Sequence, residues 1–287
     1  MWCAGPSYSQ DFATVISVLG VRIAFEELLF EKGSWFGMSE EKRYHANLLN
    51  SVDRWAYARQ ENISSQDSQT IERYFKHSVR GFKAFLGKYL PSQKDVLILD
   101  LPCGEGRVVY VLQAMGYKNV SGYDLDVKRL ETGRKLELPI YEGDAFEILK
   151  KQEDNSVGCI FSMDFLEHLE KEKVIEFLEL TYRKITAGGK IFLRTPCADS
   201  PFGSQHIYND FTHKWAATSG VLYRLLSSVG FSEVFVFGEE PKIGMRFGFL
   251  RVLSYKIAKS VAGVFLILMN LGKQKIWSRS MWAVAKK

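Results

Sequence analysis

The sequence predicts an α/β fold, a doubly wound sheet with helices on both faces, and three observations predict it. Val96 to Leu99 is a continuous apolar run, as expected of a strand covered on both faces, where a half-exposed strand would alternate. An acid, Asp100, ends that run, and Gly104 and Gly106 follow just before a helix-like stretch from Val108 to Met115. Two more short segments that read as strands end in acids, at Asp124 and Asp144. In an open α/β sheet a nucleotide-like ligand lies outside the carboxyl ends of the strands, which is where these acids and glycines gather.

The first strand and its turn are the most informative. Glycine lets the chain turn sharply and admits a ligand with no Cβ in the way, so Leu101 to Arg107 reads as a cofactor-binding turn. Its spacing is not the dinucleotide fingerprint G-x-G-x-x-G; the chain reads P-x-G-x-G-R with no third glycine in place. Asn119 to Asp124 is the second strand. Its terminal acid stands about 20 residues beyond the turn, where an acid meets ribose hydroxyls, so Asp124 is the ribose candidate and Asp126 the spare. Pro139 to Phe146 contains the third strand and Asp144. Each acid taken alone has a second reading, as a helix N-cap.

This turn resembles the first motif of class I S-adenosylmethionine-dependent methyltransferases, D/E-x-G-x-G-x-G. Asp100, Gly104 and Gly106 match, and Pro102 stands at the first glycine's place, which stiffens the turn and removes an N–H. The resemblance continues through Asp154 to Met163 as a fourth strand and Thr186 to Pro196 as a glycine turn and fifth strand. Leu222 to Phe237 resembles the family's next helix and sixth strand, and Met281 to Lys287 its last strand. It implies a seven-stranded Rossmann-like sheet with S-adenosylmethionine as cofactor. The implied cofactor residues are Asp100, Pro102, Cys103, Gly104, Gly106, Asp124, Leu125, Asp144, Ala145, Phe146 and Met163, with Asp144 taking the adenine amino group and Phe146 covering the ring.

Three regions follow: a helical N-terminal cap over residues 1–90, the core over 91–238 and 276–287, and a helical insertion over 239–275. Phe12 to Phe30 is apolar with few breaks and Ser39 to Gln60 is polar with aromatics, so both read as helical. Trp35, Phe36, Trp55 and Tyr57 either line a substrate pocket or pack the cap. Cys3, Cys103, Cys159 and Cys197 are widely spaced with no C-x-x-C, and no basic n-region precedes Phe12, which fits a reducing, cytoplasmic setting. A net charge of +5 is too small to imply nucleic acid.

Two segments carry candidate chemistry. Asp164-Phe165-Leu166-Glu167-His168 follows the fourth strand, and a helix starting there would put Asp164, Glu167 and His168 on one face, at i, i+3 and i+4. His206 and His213 lie in the segment after the fifth strand, which opens on the same edge of the sheet. Carboxylates and imidazoles together make a divalent-metal set of O and N ligands, with Mg²⁺ or Mn²⁺ as the expected ion. The acid-x-x-Glu-His run resembles that of metal-dependent O-methyltransferases of ubiquinone synthesis and of small-RNA 3′ ends. That resemblance implies metal ligation by Asp164, Glu167, His168 and His213. The alternative is metal-free: His213, His168 or His206 as general base, or Glu167 and His168 orienting a loop. A hydroxyl acceptor has a high pKa and needs a base or a Lewis acid, so imidazoles favour an O-acceptor.

Met245 to Gly272 is apolar, with Arg246, Arg251, Lys256 and Lys259 in its first half. Its charge-free run from Ser260 to Gly272 is shorter than the ~18–20 residues that span a bilayer. Two readings stand, an interfacial helix at the inner membrane face and a helix packed on the domain or on a second copy in a homodimer. The layout resembles methyltransferases of bacterial surface polysaccharides. The expected function is methyl transfer to a hydroxyl of a glycan, lipid-linked sugar or small metabolite. Alternatives are a catalytically silent cofactor-binding partner and an RNA 2′-O-methyltransferase, the latter without a basic stripe interleaved with aromatics.

Overall fold

The computed structural model describes residues 65–240, 248–269 and 274–287. The chain divides into two units, Met1–Asn50 and Ser51–Lys287, and all described residues belong to the second. The expected helices within 12–60, with Trp35, Phe36, Trp55 and Tyr57, lie outside the described residues.

Seven strands form one sheet in the order β3-β2-β1-β4-β5-β7-β6. They are β1 (Ile98–Asp100), β2 (Val120–Asp124), β3 (Ile140–Glu142), β4 (Val157–Met163), β5 (Ile185–Pro196), β6 (Ser232–Gly238) and β7 (Ser280–Lys286). Strands β1 to β5 pair in parallel, whereas β7 enters antiparallel between β5 and β6. The expected count of seven and the place of each strand hold. The order reverses at β1 and β4, and that switch point opens the crevice where α/β sheets bind ligands.

Eight helices accompany the sheet among the described residues: α1 (Ser68–Leu86), α2 (Arg107–Ala114), α3 (Val127–Arg134), α4 (Ala145–Lys151), α5 (Lys171–Lys184), α6 (Ser204–Tyr208), α7 (Ser219–Val229) and α8 (Gly248–Leu268). Successive side chains of a strand face opposite ways, so each apolar run feeds two cores. Leu99, Ile160 and Leu193 pack with Phe177 and Leu178 of α5 and Leu222 of α7. Ile98, Phe161 and Phe192 turn to the other face and meet Val109 and Leu112 of α2 and Leu130 of α3. The rings of Phe161 and Phe192 stack at 4.3 Å, tying β4 to β5.

Helix α1 falls within the expected N-terminal cap, yet Ile71, Phe75 and Leu86 are fully buried in the second of these cores. Asp67 caps it, accepting a hydrogen bond from the Thr70 N–H at 2.9 Å. The glycine turn leads from β1 into α2, and loops after β4 and β5 reach over the same edge. No described helix is long and apolar enough to cross a membrane.

Candidate functional site

The carboxyl ends of β1 to β5 and the segment around α6 enclose a cavity of about 580 Å³. At one end lie Asp100, Pro102, Cys103 and Gly104, with Asp124, Leu125, Asp144 and Ala145 beside them. Met163, Asp164, Glu167, His168, His206 and His213 line the other end. Residues spread over more than a hundred positions of sequence are thus brought together.

Gly104 adopts φ 54°, and a Cβ there would meet only the Arg129 guanidinium, at 3.9 Å, so the turn is open to a ligand. Asp124 fixes the turn, accepting the Gly104 N–H at 2.7 Å on one oxygen and the Asp126 N–H at 2.8 Å on the other. Each of its oxygens keeps a second lone pair for a ribose hydroxyl. Asp126, the spare, caps α3 through the Lys128 and Arg129 N–H groups. Asp144 is both cap and wall: Oδ1 accepts the Phe146 and Glu147 N–H groups while the residue lines the cavity.

Asp100 supplies the test of fit for S-adenosylmethionine. It is 1% exposed, and neither carboxylate oxygen has a hydrogen-bond partner among the described residues. Burial, and then the neighbouring Asp124 charge, pushes its pKa well above the usual carboxylate range. An orphaned carboxyl beside a second acid in a cavity wall suits a ligand carrying cationic groups, as this cofactor's ammonium and sulfonium do.

Two expected cofactor residues do not line the cavity. Gly106 adopts φ 79° at the start of α2, where a Cβ would lie 3.1 Å from Ile140 and 3.2 Å from Leu138; it lets α2 and β3 approach. Phe146 turns into the core, edge-on to Phe177 at 5.7 Å. Leu125 and Ala145 are the apolar residues at that end instead.

The metal candidates divide. Glu167, His168 and His213 present ligand atoms that all lie within 4.8 Å of one another. Asp164 is not among them. The expected helix is a short 3₁₀ turn, Leu166–His168, and Asp164 precedes it in the left-handed region at φ 50°. Its carboxylate pairs with the Arg194 guanidinium, so the i, i+3, i+4 face does not form. Arg194 is held in turn by Glu239, which accepts from its Nε at 2.6 Å.

Hydrogen bonds settle both imidazole tautomers. His213 Nδ1 lies 2.8 Å from the Ile207 carbonyl, which can only accept, so Nδ1 carries a proton and Nε2 is the ring atom left to meet a ligand. The Thr212 hydroxyl donates to Asp210 Oδ1 at 2.6 Å, so it accepts from His168 Nδ1 at 2.8 Å, again leaving Nε2 free. Glu167 is 1% exposed; one oxygen accepts the Thr195 hydroxyl at 3.0 Å and the other, Oε1, has no partner. Burial, then the Asp164 charge, pushes the Glu167 pKa up to about 8. Burial also holds His168 and His206 below the usual imidazole value. Two imidazoles and a buried carboxyl with one unpartnered oxygen fit a divalent cation, with outer partners that orient the ligands.

Those outer partners, Thr195, Asp210 and Thr212, and the Arg194 clamp on Asp164 are what sequence reasoning missed. Asp210-Phe211-Thr212 carried one signal, since an Asp side chain commonly accepts the N–H two residues on, as Asp210 does from Thr212 at 2.9 Å. Nothing in the sequence marked Arg194.

Residues 98–189 match the family described as "Methyltransferase domain". A tRNA U34 carboxymethyltransferase from Helicobacter acinonychis (strain Sheeba) is 28% identical over 123 residues, 40% of this chain and 46% of that relative. The chain therefore spans about half the length of that curated relative. A SAM-dependent methyltransferase structure from Archaeoglobus fulgidus is 26% identical with a TM-score of 0.56, covering 75% of this chain and 97% of that one. The Haemonchus contortus phosphoethanolamine N-methyltransferase 2, in complex with S-adenosyl-L-methionine, shares the fold at 18% identity and a TM-score of 0.50, over 71% and 51% of the two chains. Strand order, matched domain and the Archaeoglobus structure agree on the fold of the class I S-adenosylmethionine-dependent methyltransferases, with a methyltransferase domain over residues 98–189.

Proposed function

We propose that this protein transfers a methyl group from S-adenosylmethionine to an acceptor hydroxyl, with a divalent cation held by Glu167, His168 and His213. The observation that carries the reading is that Glu167, His168 and His213, all in the wall of the cavity, present ligand atoms within 4.8 Å of one another. Asp124 takes the ribose hydroxyls, Asp144 the adenine edge and Asp100 the cationic end of the cofactor. A bound cation supplies Lewis acidity that lowers the pKa of the acceptor hydroxyl. His206 lines the same end, kept neutral near pH 7 by burial, and is the base within reach of a released proton. Methyl transfer is an in-line displacement, so the Arg194–Asp164 pair and the walls of the cavity work by holding the acceptor in line.

The acceptor class we favour is a glycan or lipid-linked sugar. A second reading, a nucleoside of tRNA, is favoured by the Helicobacter relative, which acts on tRNA U34. Calorimetric titration with S-adenosylhomocysteine, with Mn²⁺, Mg²⁺ or a chelator, tests the site. Micromolar binding is expected, with a separate metal heat that His213→Ala abolishes while leaving the cofactor heat intact. Full turnover of His213→Ala would remove the metal from the reading, no cofactor heat at all would sink the proposed site, and cofactor heat without any turnover would favour the silent cofactor-binding partner. Labelled methyl appearing in lipid-linked glycan or in tRNA separates the two acceptors.

A further inference from the structure

We infer that α8 docks this protein on an anionic lipid surface, lying in the interface without crossing it. The helix shows two unlike faces. Tyr255, Lys259, Gly263 and Leu266 are half-buried, and Glu240 accepts from Lys259 and, at 3.5 Å, from the Tyr255 hydroxyl. Opposite them stand Leu253, Ile257, Val261, Val264, Phe265 and Leu268, all exposed. At 100° per residue these six fall within an arc of about 120°, centred roughly 180° from the packed side. Ile257 is 58% exposed and Val261 68%, so these are not partly covered core residues. An apolar strip of this length is not left in water on a monomeric soluble surface without a partner.

Charge says what the partner is. All 33 Asp and Glu residues precede position 241, together with 28 of the 38 Lys and Arg residues. The first 240 residues therefore carry a formal charge of −5, and the last 47 carry +10 with no acid at all. Arg251 and Lys256, both exposed, flank the apolar strip on its two sides, where long side chains reach past a buried helix to headgroups. A second copy packed on the same strip would bring these cations against their own kind, whereas an anionic bilayer neutralises them. Nor is any described helix long and apolar enough to span a membrane.

The placement also links to the catalytic cavity. Glu240 holds α8 through Lys259, and the adjacent Glu239 holds Arg194, the partner of Asp164 in the cavity wall. Two adjacent residues, Glu239 and Glu240, thus connect α8 to Arg194 in the cavity wall.

The test is co-sedimentation of the full chain with vesicles of phosphatidylcholine alone or mixed with phosphatidylglycerol, at low and high salt. Binding is expected to the mixed vesicles only, and to weaken with salt. The outward-facing pair Ile257→Asp and Val261→Asp should reduce it at least tenfold with an unchanged unfolding midpoint, and Arg251→Glu with Lys256→Glu should reduce it comparably. Absence of binding to either vesicle, or equal binding to both, overturns the inference. So does a wild-type dimer that Ile257→Asp and Val261→Asp makes monomeric without any vesicle binding. None of these readouts involves the cofactor, so the inference and the proposed methyl transfer fail separately.

Discussion

At the scale of the residue, Glu167 is the perturbed carboxyl of the candidate metal cluster. Its pKa in the folded protein is pushed up to about 8, against 4.5 for an exposed glutamate, by burial and then by Asp164. A raised acid leaves stability fully present below about pH 4.5, and that stability is lost as pH rises through about 8, because the folded state then gives up a proton it held more tightly than the unfolded chain. In chelator, Glu167→Gln should therefore be more stable than the parent at pH 9, by on the order of a few kcal/mol and read as a higher unfolding temperature, and show no such advantage at pH 4. A gap independent of pH, followed by thermal unfolding across that range, would mean that Glu167 is ionised against some other partner. With the cation bound the advantage should reverse, since a neutral amide is the poorer ligand.

At the scale of the element, the glycine turn separates into two jobs. Gly104 is open to the cavity, while Gly106 is hemmed in by Ile140 and Leu138. Gly106→Ala combines a left-handed φ with that contact and should destabilise the domain by about 1–3 kcal/mol, read as a shift in the denaturant midpoint. Were Gly106→Ala instead to leave stability unchanged and abolish cofactor binding, the division between the two glycines would be wrong. Strands β1 to β3 were legible because each ends in or just before an acid, a local pattern, and β4 from its likeness to the family's fourth strand after a polar turn. The insertion helix was legible from its long apolar run with interspersed cations, though which face packs was not. The face expected from Asp164 to His168 failed because a left-handed Asp164 and a 3₁₀ turn replace the helix, and the pull on Asp164 comes from Arg194, thirty positions away. His168 likewise owes its tautomer to Thr212, 44 positions on. Such partners are chosen by topology, and residue spacing carries no trace of them.

For the molecule as a whole, the cofactor should act as a structural member. Asp100 is buried beside Asp124 with neither carboxyl oxygen partnered among the described residues, and its pKa is raised by burial and then by Asp124, so a cationic ligand at this place should favour its ionised form and stabilise the fold. S-adenosylmethionine at a hundred times its Kd should then raise stability by about 2.7 kcal/mol by mass action alone, measured as a rise in Tm. S-adenosylhomocysteine, which lacks the sulfonium charge, should raise it less at equal concentration. The antiparallel β7 has a further consequence, for how the chain is made. Strand β6 pairs only with β7 in the sheet, yet α8 is synthesised between them. As the nascent chain leaves the ribosome, the apolar helix emerges while both β5 and β6 still lack their shared neighbour. For that interval the polypeptide shows a greasy helix and two unpaired strand edges at once. Translation that stalls before Ser280 therefore leaves a species primed to aggregate, and a membrane within reach of α8 would shelter it until the last strand arrives.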